Sequence, residues 1–174
     1  EMQAAGANGV LSVTPYYNRP TPEGLLAHYS VIAGATPLPI IIYNVPGRTG
    51  CNVDAPTLAA LAAIPTVVGV KEASGNMSQM ADIIRAVPDG FLVLSGDDAV
   101  TLPLMAIGGR GIISVCSNQI PREMADMVEA AERGDFAAAR AIHQRVLGIM
   151  QVNFCESSPG PVKFSMATMG LCEE

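Results

Sequence analysis

Apolar residues fall along this chain in short unbroken runs, each followed by a longer stretch where they recur every three or four positions. The runs are GVLSV (Gly9 to Val13), PIIIYN (Pro39 to Asn44), TVVGVK (Thr66 to Lys71), FLVLS (Phe91 to Ser95) and GIISV (Gly111 to Val115). Continuous Val- and Ile-rich runs of this length predict parallel strands buried on both faces. The stretches between them, Pro22 to Ala35, Ala55 to Ile64, Met77 to Val87 and Ala99 to Ile107, predict helices. Asp54 and Asp98 are placed to cap two of these helices, because a carboxylate there accepts free amide protons. Gly108-Gly109 and Pro88-Asp89-Gly90 read as stops. Met2 to Ala7 looks like the tail of a further helix. Beyond the fifth run the pattern becomes helical throughout. Helices are predicted over Pro121 to Arg133 and Phe136 to Val152, separated by Gly134-Asp135, with a last short one from near Pro161.

Strand and helix therefore alternate, which predicts an α/β fold with a parallel sheet and right-handed crossovers. The choice lies between an open doubly wound sheet and a barrel. No GxGxxG follows any strand, so a dinucleotide fold lacks its signature. Gly108-Gly109-Arg110-Gly111 is glycine-rich but precedes a strand, where a phosphate cradle would follow one. A (β/α)8 barrel takes about 250 residues and eight strands. Five strands cannot close it. Either the sheet is open, or these are the C-terminal units of a barrel whose first strands are missing.

Composition narrows the function. With 49% hydrophobic and 15% charged residues over 174 positions, the chain is expected to build a core. A net charge of −6 argues against nucleic-acid or anionic-membrane partners. No apolar run reaches the roughly 18 residues of a membrane helix. Cys51, Cys116, Cys155 and Cys172 form no CxxC pair and read as reduced thiols of a cytosolic protein. His28 and His143 have no partner at ligand spacing, so no metal site is indicated.

Reactive residues of parallel α/β folds gather at the carboxyl ends of the strands. Those ends are Thr14-Pro15-Tyr16-Tyr17-Asn18, then Tyr43-Asn44-Val45-Pro46-Gly47-Arg48, then Lys71-Glu72, then Ser95-Gly96-Asp97-Asp98, then Ser114-Val115-Cys116. The chain has two lysines against eight arginines, and Lys71 closes an apolar run. An amine in an apolar pocket loses hydration of its charged form, so it becomes available as a nucleophile toward a ketone. A nearby phenol can relay protons, and a guanidinium can hold a carboxylate with two hydrogen bonds. The plainer alternatives are a strand-end lysine paired with Glu72, rim aromatics at Tyr43, Tyr16 and Tyr17, and an Arg48 that braces its loop, with Asp54 as a partner. Asp97 and Asp98 read as caps before an acid–base pair.

VTPYYNRP, IIIYNVPGRTG, VVGVKEASG and LSGDD, in this order and spacing, resemble the dihydrodipicolinate synthase family, over Gly9 to Leu171. The resemblance implies a homotetrameric (β/α)8 barrel with a C-terminal helical segment, and no cofactor. It implies a cytoplasmic enzyme that joins pyruvate to aspartate semialdehyde on the route to diaminopimelate and lysine. Residues 1–118 would supply barrel strands four to eight, and 119–174 the helical segment. By the same resemblance Lys71 forms the Schiff base with pyruvate and Tyr43 relays protons. Tyr17 reaches into a neighbouring subunit's site, and Arg48 binds the aldehyde's carboxylate. Gly96 and Ile113 line the pyruvate pocket with backbone. Tyr16 matches a tyrosine near the lysine-inhibitor cleft of regulated members.

Three departures stand beside this. The family's first three strands and its GTTGE-type loop are absent, ESSPGPVKF from Glu156 differs from the E-x-N-P-x-P-V-K form, and the helical segment stops early. The chain is therefore expected to be a fragment. Two other readings stay open. One is a related pyruvate aldolase, such as N-acetylneuraminate lyase or a keto-deoxy sugar acid aldolase. The other is a catalytically silent barrel part acting in binding or assembly.

Overall fold

The computed structural model describes residues 3–173 and divides into two compact units. One unit runs to Leu94 and includes Ile107–Gly109; the other comprises Ser95–Ala106 and the chain from Arg110. The expected helix tail at Met2 to Ala7 is a turn over residues 3–6, closed by the Gly6 amide donating to the Gln3 carbonyl at 3.0 Å; residue 2 lies outside the described residues.

The sheet has the order β1 (Val10–Val13), β2 (Ile40–Asn44), β3 (Val67–Glu72) and β4 (Leu92–Ser95). β1 pairs with β2, and β2 with β3, in parallel. The first unit's helices are α1 (Pro22–Ala35), the single turn α2 (Pro46–Thr49), α3 (Ala55–Leu61) and α4 (Met77–Ala86). Each of the three longer ones begins where a side chain can take a free amide proton. Thr21 accepts from Gly24, Asp54 from Thr57 and Asn76 from Gln79. Their buried residues repeat at helical spacing: Leu25 and Tyr29, Leu58 and Leu61, Met80 and Ile83. The Tyr29 hydroxyl donates to the Ser12 carbonyl at 3.0 Å, tying α1 to β1.

The strands are not buried on both faces as expected. β2 alternates, with Ile40, Ile42 and Asn44 fully buried and the residues between them only half so. On β1, Leu11 and Val13 are 45% and 42% exposed. β1 also lies at the end of the sheet with β2 alone beside it, so its outer edge is unpaired.

β3 carries an irregularity that the apolar run does not announce. Val67 pairs with Ile40 but Gly69 pairs with Ile41, so Val68 is an extra residue in the strand. Gly69 then faces β4 so closely that a Cβ would stand 2.6 Å from the Leu92 carbonyl oxygen. Backbone cannot yield there without opening the sheet. Gly69→Ala is therefore expected to cost about 2–4 kcal/mol of unfolding free energy in the complete protein. Denaturant titration checks this; a change below about 0.5 kcal/mol, ordinary for a surface site, would contradict the packing.

The second unit corrects two expectations. Gly111 to Val115 does not form a fifth strand. Only Ile112 bridges to Ser95, with Ser95 N–H bonded to the Gly111 carbonyl at 2.8 Å and Ile113 N–H to the Ser95 carbonyl at 2.9 Å. The cause is Asp98, which is buried: it accepts the Ser114 hydroxyl and the amides of Val115 and Cys116, both at 3.2 Å. The chain is drawn into a 3-10 turn over Cys116–Asn118 instead of running on beside β4. Nor does Asp98 cap the next helix. Asp97 takes the Ala99 amide at 2.9 Å, a 3-10 turn follows at Asp98–Val100, and α5 is Thr101–Ala106. The helices α6 (Pro121–Glu132), α7 (Phe136–Val152) and α8 (Gly160–Thr168) follow the sequence reading closely. Met105, Cys116, Met124, Met127, Ala139 and Met150 form their core. Among the described residues no helix is long and apolar enough to cross a membrane.

Candidate active site

Lys71 and Tyr43 are brought together by the sheet itself. In the β2–β3 register Tyr43 stands opposite Lys71, and in a parallel pair such partners project from the same face. The Lys71 Nζ lies 4.2 Å from the centroid of the Tyr43 ring, above its face. The negative face of the phenol attracts an ammonium there. Both side chains are half-buried, so a small molecule can reach them.

The next residue of each strand points the other way. Asn44 and Glu72 are also in register, and both are fully buried. Glu72 Oε2 accepts from Asn44 Nδ2 at 2.7 Å, and Oε1 accepts the Ser74 amide at 2.8 Å. Glu72 is thus turned to the face opposite Lys71. Neither Asn44 nor Glu72 was marked by the sequence as part of the site. The available signal was two polar residues closing two apolar strands at matched positions.

Arg48 rides on α2, a single turn made by Pro46 at its start and Gly50 at its end. Gly50 has φ 67°, the left-handed region that favours glycine, and its amide donates to the Pro46 carbonyl at 2.9 Å. Thr49 fastens the turn from within: its hydroxyl donates to the Cys51 carbonyl at 2.9 Å. Arg48 is exposed at this rim. Tyr17 stands in solvent, 88% exposed, with φ 61°, a strained conformation for an aromatic residue. Tyr16 is exposed beside it.

Gly96 and Ile113 belong to the second unit. Gly96 follows β4 directly, and the Ile113 amide is bonded to Ser95 as described above. Asp98 fixes the segment that leaves Ile113. The four cysteines are all free thiols, two buried and two exposed. Burial and the neighbouring Asp98 carboxylate push the Cys116 thiol up to about 12, so it stays protonated and unreactive at neutral pH.

A lysine amine and a phenol lie side by side at the carboxyl ends of adjacent parallel strands of an α/β chain. The sequence pattern described as the Dihydrodipicolinate synthetase family matches residues 1–174, and the chain belongs to that family. It is 53% identical over 170 residues to the 4-hydroxy-tetrahydrodipicolinate synthase of Syntrophus aciditrophicus (strain SB), covering 98% of this chain and 58% of that protein. To the 4-hydroxy-tetrahydrodipicolinate synthase of Koribacter versatilis (strain Ellin345) it is 51% identical, covering 97% of this chain and 56% of the relative. Among solved structures it superposes on dihydrodipicolinate synthase from Aquifex aeolicus with a TM-score of 0.96 at 42% identity, covering 98% of this chain and 59% of the other. The enzyme from Thermotoga maritima gives 0.97 at 42% identity, covering 99% and 60%. The chain therefore spans 56% and 58% of the length of the two curated relatives it matches.

Proposed function

We propose that this chain carries the amine half of a class I synthase that condenses pyruvate with aspartate semialdehyde to 4-hydroxy-tetrahydrodipicolinate. The observation that supports it most is the register that sets the Lys71 amine against the Tyr43 ring. In the complete protein, residues 1–118 serve as the C-terminal part of the barrel, with β1–β4 as strands four to seven and the Ile112 bridge in place of the eighth, and 119–174 as the helical segment.

The neutral Lys71 amine attacks the keto carbon of pyruvate, forming a C–N bond while the carbonyl oxygen takes a proton. Loss of that hydroxyl as water gives the imine. Removal of a methyl proton gives the enamine, whose carbon attacks the aldehyde. The Tyr43 hydroxyl acts on the substrate's oxygen. It delivers the proton that lets water leave. Arg48 holds the carboxylate of the incoming semialdehyde at the rim. Tyr17 serves the neighbouring subunit's site in a tetramer built as a dimer of dimers, and the protein works in the cytoplasm. The names of the relatives favour this reading over a sugar-acid lyase.

The test is substrate choice. In the complete protein, Arg48→Ala is expected to weaken use of aspartate semialdehyde about ten- to a hundredfold, the equivalent of a charge-assisted contact of roughly 1.5–3 kcal/mol. Borohydride trapping of pyruvate should change far less. Equal loss in both assays, or turnover of N-acetylneuraminate by the unaltered protein, would overturn the assignment.

A further inference from the structure

We propose that Asn44 and Glu72 form a positioning bracket that sets Lys71 against Tyr43 and aims the Arg48 turn at the same place. The inference rests on reading Lys71 as the reactive amine.

The bracket sits where the backbone ladder stops. The last hydrogen bond between β2 and β3 runs from the Ala73 amide to the Asn44 carbonyl at 2.9 Å. One residue earlier in each strand are Tyr43 and Lys71. A strand end beyond its last rung is free to twist, and twist there swings the side chains of the preceding pair. The 2.7 Å bond between Asn44 and Glu72 crosses the strands at that rung and closes it a second time, from side chain to side chain.

Each partner also reaches outward. Asn44 Oδ1 accepts the Val53 amide at 3.0 Å, and Nδ2 lies 3.1 Å from Asn52 Oδ1. One amide group therefore grips both ends of the stretch that carries Arg48: its own residue opens the stretch and Val53 closes it. Asn52 in turn donates to Gln79 Oε1 at 2.8 Å, which ties that stretch to α4. Glu72 Oε1 takes the Ser74 amide, holding the chain that leaves Lys71. Lys71, Tyr43 and the Arg48 turn are thus referred to one buried pair.

The residue types point the same way. A buried carboxylate is costly unless its oxygens are bonded, so a pair needed for packing alone is more economically apolar. What a carboxylate–amide pair adds is direction. Glu72 only accepts and Asn44 both accepts and donates, so a single arrangement satisfies Val53, Ser74 and each other. Catalysis needs that definition, since a displacement of about 1 Å can cost a hundredfold in rate.

The chemistry also supplies the test. Glu72→Gln places an amide against either the Asn44 amide or the Ser74 N–H, so donor meets donor. Asn44→Asp alone sets carboxylate against carboxylate. In the double variant Asn44→Asp/Glu72→Gln, the carboxylate at position 44 takes the Val53 N–H with one oxygen and the amide of position 72 with the other. The carbonyl at position 72 then receives the Ser74 N–H. With the paired Asn52 and Gln79 amides turned over, so that Asn52 donates to position 44, the bracket is rebuilt with its charge moved across the strands.

Two readouts are made on the complete protein and these variants. The first needs no substrate: trace acetic anhydride labels Lys71 in competition with the exposed Lys163, across a pH series. Each single variant should shift the Lys71 to Lys163 ratio about three- to tenfold toward that of a solvent lysine, as expected for loss of a fixed contact with the ring. The second is the rate of borohydride-trapped pyruvate imine, which should fall at least about tenfold. The double variant should recover both to within about threefold of the unaltered protein, alongside recovery of the unfolding midpoint. Unchanged labelling in the singles would overturn the proposal. So would a double variant that recovers its unfolding midpoint but not the labelling ratio, since the pair would then stabilise without positioning. If neither single variant folds, the double decides by the same ratio. If the unaltered protein traps no pyruvate while labelling behaves as described, the bracket stands and the synthase assignment fails.

Discussion

Replacing Lys71 by Arg in the complete protein is expected to abolish imine trapping and all measurable condensation, with the fold retained. A guanidinium stays protonated throughout the working pH range, so it has no lone pair to offer a ketone. It still fits the half-buried position over the Tyr43 ring, because arginine stacks on aromatic faces. The loss is therefore chemical, and the unfolding midpoint should move little. Tyr43→Phe provides the contrast. The ring face and its attraction for the amine persist while the relayed proton is lost, and the rate should fall by about 10²–10⁴. Imine should still form, slowly. Trapping followed by mass spectrometry separates the two variants: no adduct for the first, a delayed adduct for the second. Residual trapping in the Lys71→Arg protein would show that the amine lies elsewhere.

Expressed as a separate polypeptide, residues 1–174 are expected to associate and to show no synthase turnover. β1 presents backbone donors and acceptors along an unpaired edge, and beside them Leu11 and Val13 are nearly half exposed. In the other unit an apolar groove of about 740 Å3 lies among Ile149, Val152, Phe164 and Met169. Phe154 and Leu171 are exposed as well. Several hundred Å2 of uncovered apolar surface, at about 25 cal/mol per Å2, is comparable to the 5–15 kcal/mol that holds a whole domain together. Edges of this kind find each other before they find water. Size-exclusion chromatography with an activity assay decides it. A monomeric, cooperatively melting and active 174-residue chain would contradict the account of both the edge and the site.

The parts of the fold legible in the sequence are those set by local chemistry. Tyr43 and Lys71 each come at the end of an unbroken apolar run, and a run of that kind predicts a strand. Phe136 to Val152 has the spacing of one helix and is one. What was not legible depends on partners far along the chain. Nothing in VVGVKE marks Val68 as the extra residue, because the bulge is fixed by which β2 residue lies opposite. GIISV has the composition of a strand, but Asp98, more than a dozen residues earlier, takes the amides of its end and turns it aside. Asp97 and Asp98 share a residue type and an expected capping role, but only Asp97 caps; Asp98 is buried, where Ser114 reaches it. In the candidate site, the resemblance supplied Lys71, Tyr43 and Arg48. Asn44 and Glu72 were passed over because their meaning lies in facing each other across two strands.

The claim on which the rest depends is that Lys71 is the amine that takes pyruvate. The complete protein, incubated with pyruvate and borohydride and then digested, should yield one peptide with one reduced pyruvate adduct, and fragmentation should place it on Lys71. Adduct on Lys163, or an unlabelled Lys71 peptide under conditions where the protein turns over, would contradict it.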